Sequence, residues 1–349
     1  MTESELYLLA IDVGSHTQDI LLYDSRREIE NCVKLVLPSQ TSIVAQRIRQ
    51  ATRSGHPVFL DGNLMGGGPC VGAMMDHLAA GYEIYATELA AKTIRDNLQE
   101  VEAMGIRLGP PPASVQVLRV RLGDVDLEAL RWSLAPFLVE LPSRYAIALQ
   151  DHGECLTGSN REFRFRAWEE FLAQGGNLDG LLYPQAPSPF TRMQAVQRDL
   201  PGAWVMDTGA AAVQGALCDP WVAERAQEGV VVVNVGNQHT LAILLQGERI
   251  EGLFEHHTSC LNRAKLQDYV ERLREGRLMA GEILQDGGHG NLCAPASLSF
   301  RSVAVTGPKR KMAEGLGYYF AVPHGDMMLT GCFGLVRSTL RLCARFSPS

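Results

Sequence analysis

Two short glycine-bearing segments, one in each half of the chain, carry residue types that bind anions. They are Asp12-Val13-Gly14-Ser15-His16-Thr17 and Asn234-Val235-Gly236-Asn237-Gln238-His239-Thr240, each lying between two apolar runs. An apolar run, a tight Gly turn and a returning apolar run read as a β-hairpin. Glycine lets the backbone approach a ligand closely, and successive N–H groups at such a tip form a concavity suited to an anion. Ser15, Thr17 and Thr240 add hydroxyl groups, with His16 and His239 beside them. A single tip of this kind is equally a plain tight turn. Its repetition in both halves is what points to a phosphate chain gripped from two sides. A hydrogen bond to a charged group contributes about 1.5–3 kcal/mol, so several would account for micromolar binding. Asp12, just ahead of the first turn, is expected to face a hydrated Mg²⁺, an ion that takes one or two carboxylates plus waters.

Other candidates lie at strand ends and in glycine loops, where sites concentrate. They are Gln150-Asp151-His152-Gly153-Glu154, His256-His257 and Gly287-Gly288-His289. Converging imidazoles from His152, His256, His257 and His289 could hold Zn²⁺ or Fe²⁺ or move protons. Surface or hydrogen-bonded histidines are the plainer reading. Gly66-Gly67-Gly68 ahead of a helix could take a substrate anion or serve only as a tight connection. Lys309-Arg310-Lys311 could touch a phosphate or adenine, or be a solvated basic turn.

The elements that must position these residues follow from periodicity. Strands are expected over 6–13, 19–23, 56–60, 115–120, 145–149, 203–206, 229–235 and 241–246. Helices are expected over 71–80, 85–104, 128–138 and 209–217. The Pro-rich stretch 175–201 reads as loop leading to an inter-domain connection. The 349 residues suggest two domains, 46% hydrophobic and 20% charged, an ordinary globular composition. A net charge of −7 argues against nucleic acid as the partner. No apolar run approaches the ~20 residues that cross a bilayer. With no secretory pattern at the start, a cytoplasmic location is expected. The eight cysteines form no C-x-x-C pair and no C-x₃-C-x₂-C run, so reduced thiols are expected rather than a zinc ribbon or an iron–sulfur cluster.

In this order the motifs resemble the actin-like ATPase superfamily of sugar kinases, heat-shock chaperone ATPases and actin. Ile11 to Asp19 resembles the first phosphate loop, and Asp207 to Gly215 the first connecting helix. Val232 to Thr240 resembles the second phosphate loop. Val303 to Arg310, with Thr306, Gly307 and Lys309, resembles the adenosine motif, and Asp326 to Leu335 the second connecting helix. Asn234 stands where chaperones and actin carry Asp, and Gly307 is followed by Pro308 rather than Gly. The resemblance implies a duplicated α/β, ribonuclease H-like fold with domains over 1–205 and 206–349 around a cleft holding ATP and Mg²⁺. It implies ATPase or phosphotransferase activity, with Asp12, Asp207, Gln150 and Asp151 as catalytic candidates and Asp12 at the metal. Asp207, at the head of the connecting helix, takes the place of the residue that orients the attacking water. The alternatives are a small-molecule kinase, a non-hydrolysing nucleotide sensor or scaffold, and an ATP-dependent activator of a redox enzyme. The acceptor, a small molecule or a protein, is open. Leu9 to Asp24 and Asn31 to Pro38 also resemble a family labelled "putative pyruvate formate-lyase activating enzyme".

Overall fold

The computed structural model describes residues 5–156, 158–293 and 300–346 of the chain, leaving Met1–Ser4 outside. The chain opens with the hairpin β1 (Tyr7–Val13) and β2 (Thr17–Asp24), followed by β3 (Val33–Pro38). It then leaves to build a smaller layer from β4 (Val58–Gly62), β5 (Ile84–Ala86), β6 (Arg107–Leu108) and β7 (Leu118–Leu122). It returns with β8 (Arg144–Leu149), β9 (Leu182–Tyr183) and β10 (Trp204–Asp207). The second half contains β11 (Val230–Val235), β12 (His239–Gln246), β13 (Arg249–His257), β14 (Gly290–Leu292), β15 (Ser302–Thr306) and β16 (Tyr319–Phe320).

The result is a mixed α/β protein with three sheets among the described residues. Two are six-stranded, in the orders β3-β2-β1-β8-β10-β9 and β14-β13-β12-β11-β15-β16, and the third is β6-β5-β4-β7. The sequence β3-β2-β1-β8-β10 pairs antiparallel, antiparallel, parallel, parallel. The sequence β13-β12-β11-β15-β16 pairs in the same senses. Strand alternation sorts the side chains into layers. Leu9, Ile11 and Val13 of β1 pack on one side with Ile147 and Val205. Leu8 and Ala10 face the other way, into a shared core with Val232, Ile243 and the helix Thr208–Ala216. That helix crosses the helix Thr330–Phe346 at close range. A Cβ on Gly215 would strike the Thr330 carbonyl, and one on Gly334 the Ala211 carbonyl, so only glycine allows these backbones to touch.

Several expectations change. No single helix covers 85–104. Ile84–Ala86 instead joins β4 as a parallel strand, Thr87 caps a turn over Glu88–Ala91, and Asn97 caps a second helix over Leu98–Ala103. Tertiary pairing overrides the helical period here. The stretch 175–201 contains the helix Thr191–Asp199. The helix Asn160–Ala173, capped by Ser159 at the Glu162 amide, has no counterpart among the expected elements. No helix of the described residues is long and apolar enough to cross a membrane.

Candidate functional site: a polar cleft between the two glycine turns

The two turns share one geometry. In the first, the Gly14 amide donates to the Thr17 carbonyl at 2.9 Å, and in the second the Gly236 amide donates to the His239 carbonyl at 2.9 Å. A Cβ on either glycine would fall 2.9 Å or 2.7 Å from that carbonyl, closer than side chains tolerate. Each turn is buttressed from behind. Ser39 and Ser42 hydroxyls donate to the Ser15 carbonyl at 3.0 and 3.2 Å. Thr258 donates to the Gly236 carbonyl at 2.9 Å, and its hydroxyl also meets that of buried Thr240 at 3.0 Å.

Both turns line one cavity of about 300 Å³ together with Asp12, Gly66–Gly68, Gln150–Gly153, Thr306 and Gly307. This matches the lower range of ligand pockets. Gly68, with φ of 41°, lies where a Cβ would be 3.5 Å from the Gln238 amide and 3.9 Å from Ser15, so the loop of the small layer faces both turns. Gly307, at φ 96°, has no room for a Cβ beside the Asn234 side chain at 2.5 Å and the Val235 carbonyl at 2.6 Å. Of the residues expected at the phosphates, Gly14, Ser15, Thr17, Gly236, Asn237, Gln238, His239, Thr306 and Gly307 line the cavity. His16 is exposed and bonds Ser15, Thr240 is buried behind its turn, and the Lys309 amide is spent on the Val235 carbonyl. None of these three lines the cavity.

Asp12 and Asp19 are direct cross-strand partners in the first hairpin, and both line the cavity. Like charges directly opposite destabilise a ladder. Burial raises the Asp12 carboxyl to about 7, opposed by a Thr208 hydroxyl donated at 2.6 Å and reinforced by Asp207. Burial, then the charge of Asp12, raises Asp19 to about 8. One oxygen of Asp19 is buried with no hydrogen-bond partner among the described residues. Gly331 leaves room for the Asp12 carboxylate, which a Cβ there would strike. Two inward carboxyls, both raised by burial and Asp19 further by Asp12, are suited to a divalent cation. Asp19 was legible as a polar residue in an apolar strand opposite Asp12.

Arg164 binds two carboxylates in the interior: Nε donates to Glu255 at 2.6 Å and a terminal nitrogen to Asp207 at 2.8 Å. Burial alone would raise Glu255, but Arg164 outweighs it and holds the carboxyl well below the usual range. Asp207 also caps its helix by accepting from the Gly209 amide at 2.9 Å, so both its oxygens are engaged. Asp151 accepts from the Gly153 and Met193 amides at 2.8 and 2.9 Å, which fixes the loop that carries His152. Gln150 donates from its amide to Glu255 at 2.7 Å. Arg192 grips Asp124 with two contacts of 2.8 Å and donates to the Gln150 carbonyl at 2.6 Å, joining the small layer to the first sheet. Lys92 pairs with Glu154 at 2.7 Å at the cavity wall. Arg164, Arg192 and Lys92 lie on helices or loops whose patterns carry no site signal, and only the fold reveals them.

The histidines divide unexpectedly. His256 faces away from the others, its ring bonded to Asp286 at 2.8 Å and to the His257 carbonyl at 3.2 Å. His239 of the second turn takes its place. The ring nitrogens of His152, His239 and His289 all come within 4.8 Å of one another, and His257 stands 4.9 Å from both His239 and His289 between ring centres. Burial lowers His239 to about 4 and His289 to about 3, and holds His152 well below its ordinary value. Cys32, Cys70, Cys218, Cys260, Cys293 and Cys332 are free thiols, and among the described residues no cysteine belongs to this group.

Solved structures similar to this chain include an exopolyphosphatase-like protein, 8% identical, with a TM-score of 0.26 over 87% of this chain and 66% of that one. This chain thus spans just under two thirds of that protein. The Aquifex aeolicus PPX-GPPA enzyme is 9% identical, with a TM-score of 0.27 over 97% of this chain and 92% of that one. Nucleotide-free acetone carboxylase, from a study of ATP-dependent acetone carboxylation, is 12% identical, with a TM-score of 0.22 over 70% and 44%. No curated protein matches the chain. The profile of the family described as "Putative pyruvate format-lyase activating enzyme (DUF1786)" matches residues 65–312, well over half of the chain, and the chain belongs to that family.

Proposed function

We propose that this chain is an ATP-binding protein of the actin-like ATPase architecture, with ATPase or phosphotransferase activity in a cleft between halves 1–205 and 206–349. The observation that carries the reading is the pair of glycine turns, alike in hydrogen bonding and opening on one cavity. Backbone amides and hydroxyls of Gly14–Thr17 and Gly236–Gln238 would hold the phosphate chain from two sides. Lys92 could exchange Glu154 for a phosphate oxygen. Asp12 and Asp19 fit Mg²⁺, since the buried Asp19 oxygen lacks a partner among the described residues and both carboxyls are held above their ordinary range. A bound Mg²⁺ would neutralise phosphate charge, the main demand of phosphoryl transfer. Thr306 and Gly307 would border the nucleoside. The Gly66–Gly68 loop would exclude water from above. Gln150, its carboxamide held by Glu255, would orient an attacking water.

A non-hydrolysing nucleotide sensor is a second reading. It is favoured by Asp207, whose two oxygens are engaged by Arg164 and Gly209, and by Asn234 at the second turn. A thermal-shift panel of nucleotides with and without Mg²⁺ tests both. Ligand at 100 times its Kd adds about 2.7 kcal/mol of stability. Stabilisation by Mg-ATP with turnover supports the enzyme, and stabilisation without turnover the sensor. No shift with any nucleotide overturns both.

A further inference from the structure

We propose that His152, His239 and His289 form a binding site for a divalent transition metal of the Zn²⁺ class, set in the cleft wall beside the second glycine turn. The three rings come from separate elements. His152 follows β8 of the first sheet, His239 opens β12 of the second, and His289 precedes β14. Their nitrogens already lie within 4.8 Å of one another. Nitrogens at 2.0–2.1 Å from one tetrahedral ion stand about 3.4 Å apart, so small ring rotations close the set.

Three further features point to a ligand rather than to a packed core. His289 is only 1% exposed, yet among the described residues neither ring nitrogen has a hydrogen-bond partner, and the buried Nε2 of His239 also has none there. Buried ring nitrogens are ordinarily satisfied, and a metal ion is a partner that three converging lone pairs can share. Burial also holds all three rings below their ordinary range, which favours the ligating form.

The backbone under each ring is held as well. Asp151 ties the His152 loop through two amides. The His239 carbonyl closes the turn. The His289 amide donates to the Glu255 carbonyl at 2.9 Å, between Gly288, where a Cβ would fall 2.9 Å from the Ile283 carbonyl, and Gly290 at φ 149°. Glu255, kept ionised by Arg164, supplies nearby negative charge. Three imidazoles leave a tetrahedral ion one open position, and His152 and His239 line the cavity. The ion would therefore be reachable from the cleft and would join the first sheet to the second. This inference does not depend on nucleotide binding.

Tag-free protein, stripped with chelator, should be titrated with Co²⁺ and with Zn²⁺ in competition, following the cobalt ligand-field absorption and measuring metal content. The expected result is one ion per chain with tetrahedral cobalt bands. His152→Gln, His239→Gln and His289→Gln should each weaken Co²⁺ binding by at least about 100-fold, more than loss of an outer-sphere partner typically costs. His257→Gln, which removes a neighbouring ring outside the ligand set, should change affinity less than about tenfold. Circular dichroism of each variant checks the fold. If His289→Gln misfolds, half-buried His152→Gln carries the test. Absence of stoichiometric binding, or equal affinity in folded His152→Gln and the parent, overturns the proposal.

Discussion

Raising the pH from 6.5 to 8.5 without divalent cations should destabilise this protein, and Mg²⁺ should reverse the loss. The buried pair Asp12 and Asp19 has its carboxyls raised to about 7 and about 8. A carboxyl with a raised folded pKa contributes stability that is full below its unfolded value, near 3.9, and is lost as pH climbs through the folded value. His152, His239 and His289 pull the other way over the first unit of this window, because their lowered values leave only the unfolded rings half-protonated at pH 6.5. Asp19→Asn leaves those rings in place, so the difference in slope between parent and variant isolates the carboxyl. At 1.36 kcal/mol per pH unit while protonated, the two carboxyls set a ceiling of roughly 3 kcal/mol across the window. Water entering the open cleft reduces this to about 1.5 kcal/mol. In a chain of this length that is about 2 °C in melting temperature. The assay is differential scanning fluorimetry at both pH values, with and without millimolar Mg²⁺, on the parent and on Asp19→Asn. Asn cannot titrate, so the variant should show a shallower pH slope and little response to Mg²⁺. An identical slope in the variant, or no rescue of the parent by Mg²⁺, would refute the reasoning.

Asp207→Asn should keep the helix cap, since Asn caps equally well, but remove one of the two carboxylates that Arg164 binds. Denaturant unfolding should register a loss of about 1–3 kcal/mol. An unchanged melting temperature with a tenfold fall in turnover, about 1.4 kcal/mol, would instead restore Asp207 as the water-orienting group. Gly334→Val should destabilise by roughly 2–3 kcal/mol or more, because its Cβ would meet the Ala211 carbonyl at the helix crossing. A neutral effect in urea titration would mean the helices do not touch as described. Anaerobic reconstitution with iron and sulfide should leave no stoichiometric [4Fe–4S] cluster, as read by Mössbauer spectroscopy. A cluster that cleaves S-adenosylmethionine would contradict this.

Much of the frame was legible in the residues. Apolar runs broken by Gly14 and Gly236 read directly as hairpins, because a strand–Gly–strand pattern has few other solutions. The helix after Asp207 was equally plain from its small residues, and Gly215 and Gly334 explain why they are small. The family resemblance rests on residues 9–24 and 31–38, whereas the profile matches 65–312. What stayed hidden depends on long-range placement. Ile84–Ala86 looks helical locally and becomes strand only because β4 offers it an edge. Arg164 looks like one more helix-surface cation until the helix Asn160–Ala173 carries it between Glu255 and Asp207. His239 is part of a phosphate-turn motif in the sequence. Its ring joins His152 and His289 only once both sheets are assembled, while His256, next to His257 on β13, turns to Asp286 because strand neighbours face opposite sides.

The most direct test of the central claim is isothermal titration of ATP into the parent and Asp12→Asn, each with and without Mg²⁺. The account predicts one saturable site of about micromolar affinity, near −8 kcal/mol, in the parent with Mg²⁺. Asp12→Asn should weaken that binding at least tenfold while leaving the metal-free affinity and the fold unchanged. Absence of ATP binding in the folded parent, or equal Mg-ATP affinity in the two proteins, would contradict it.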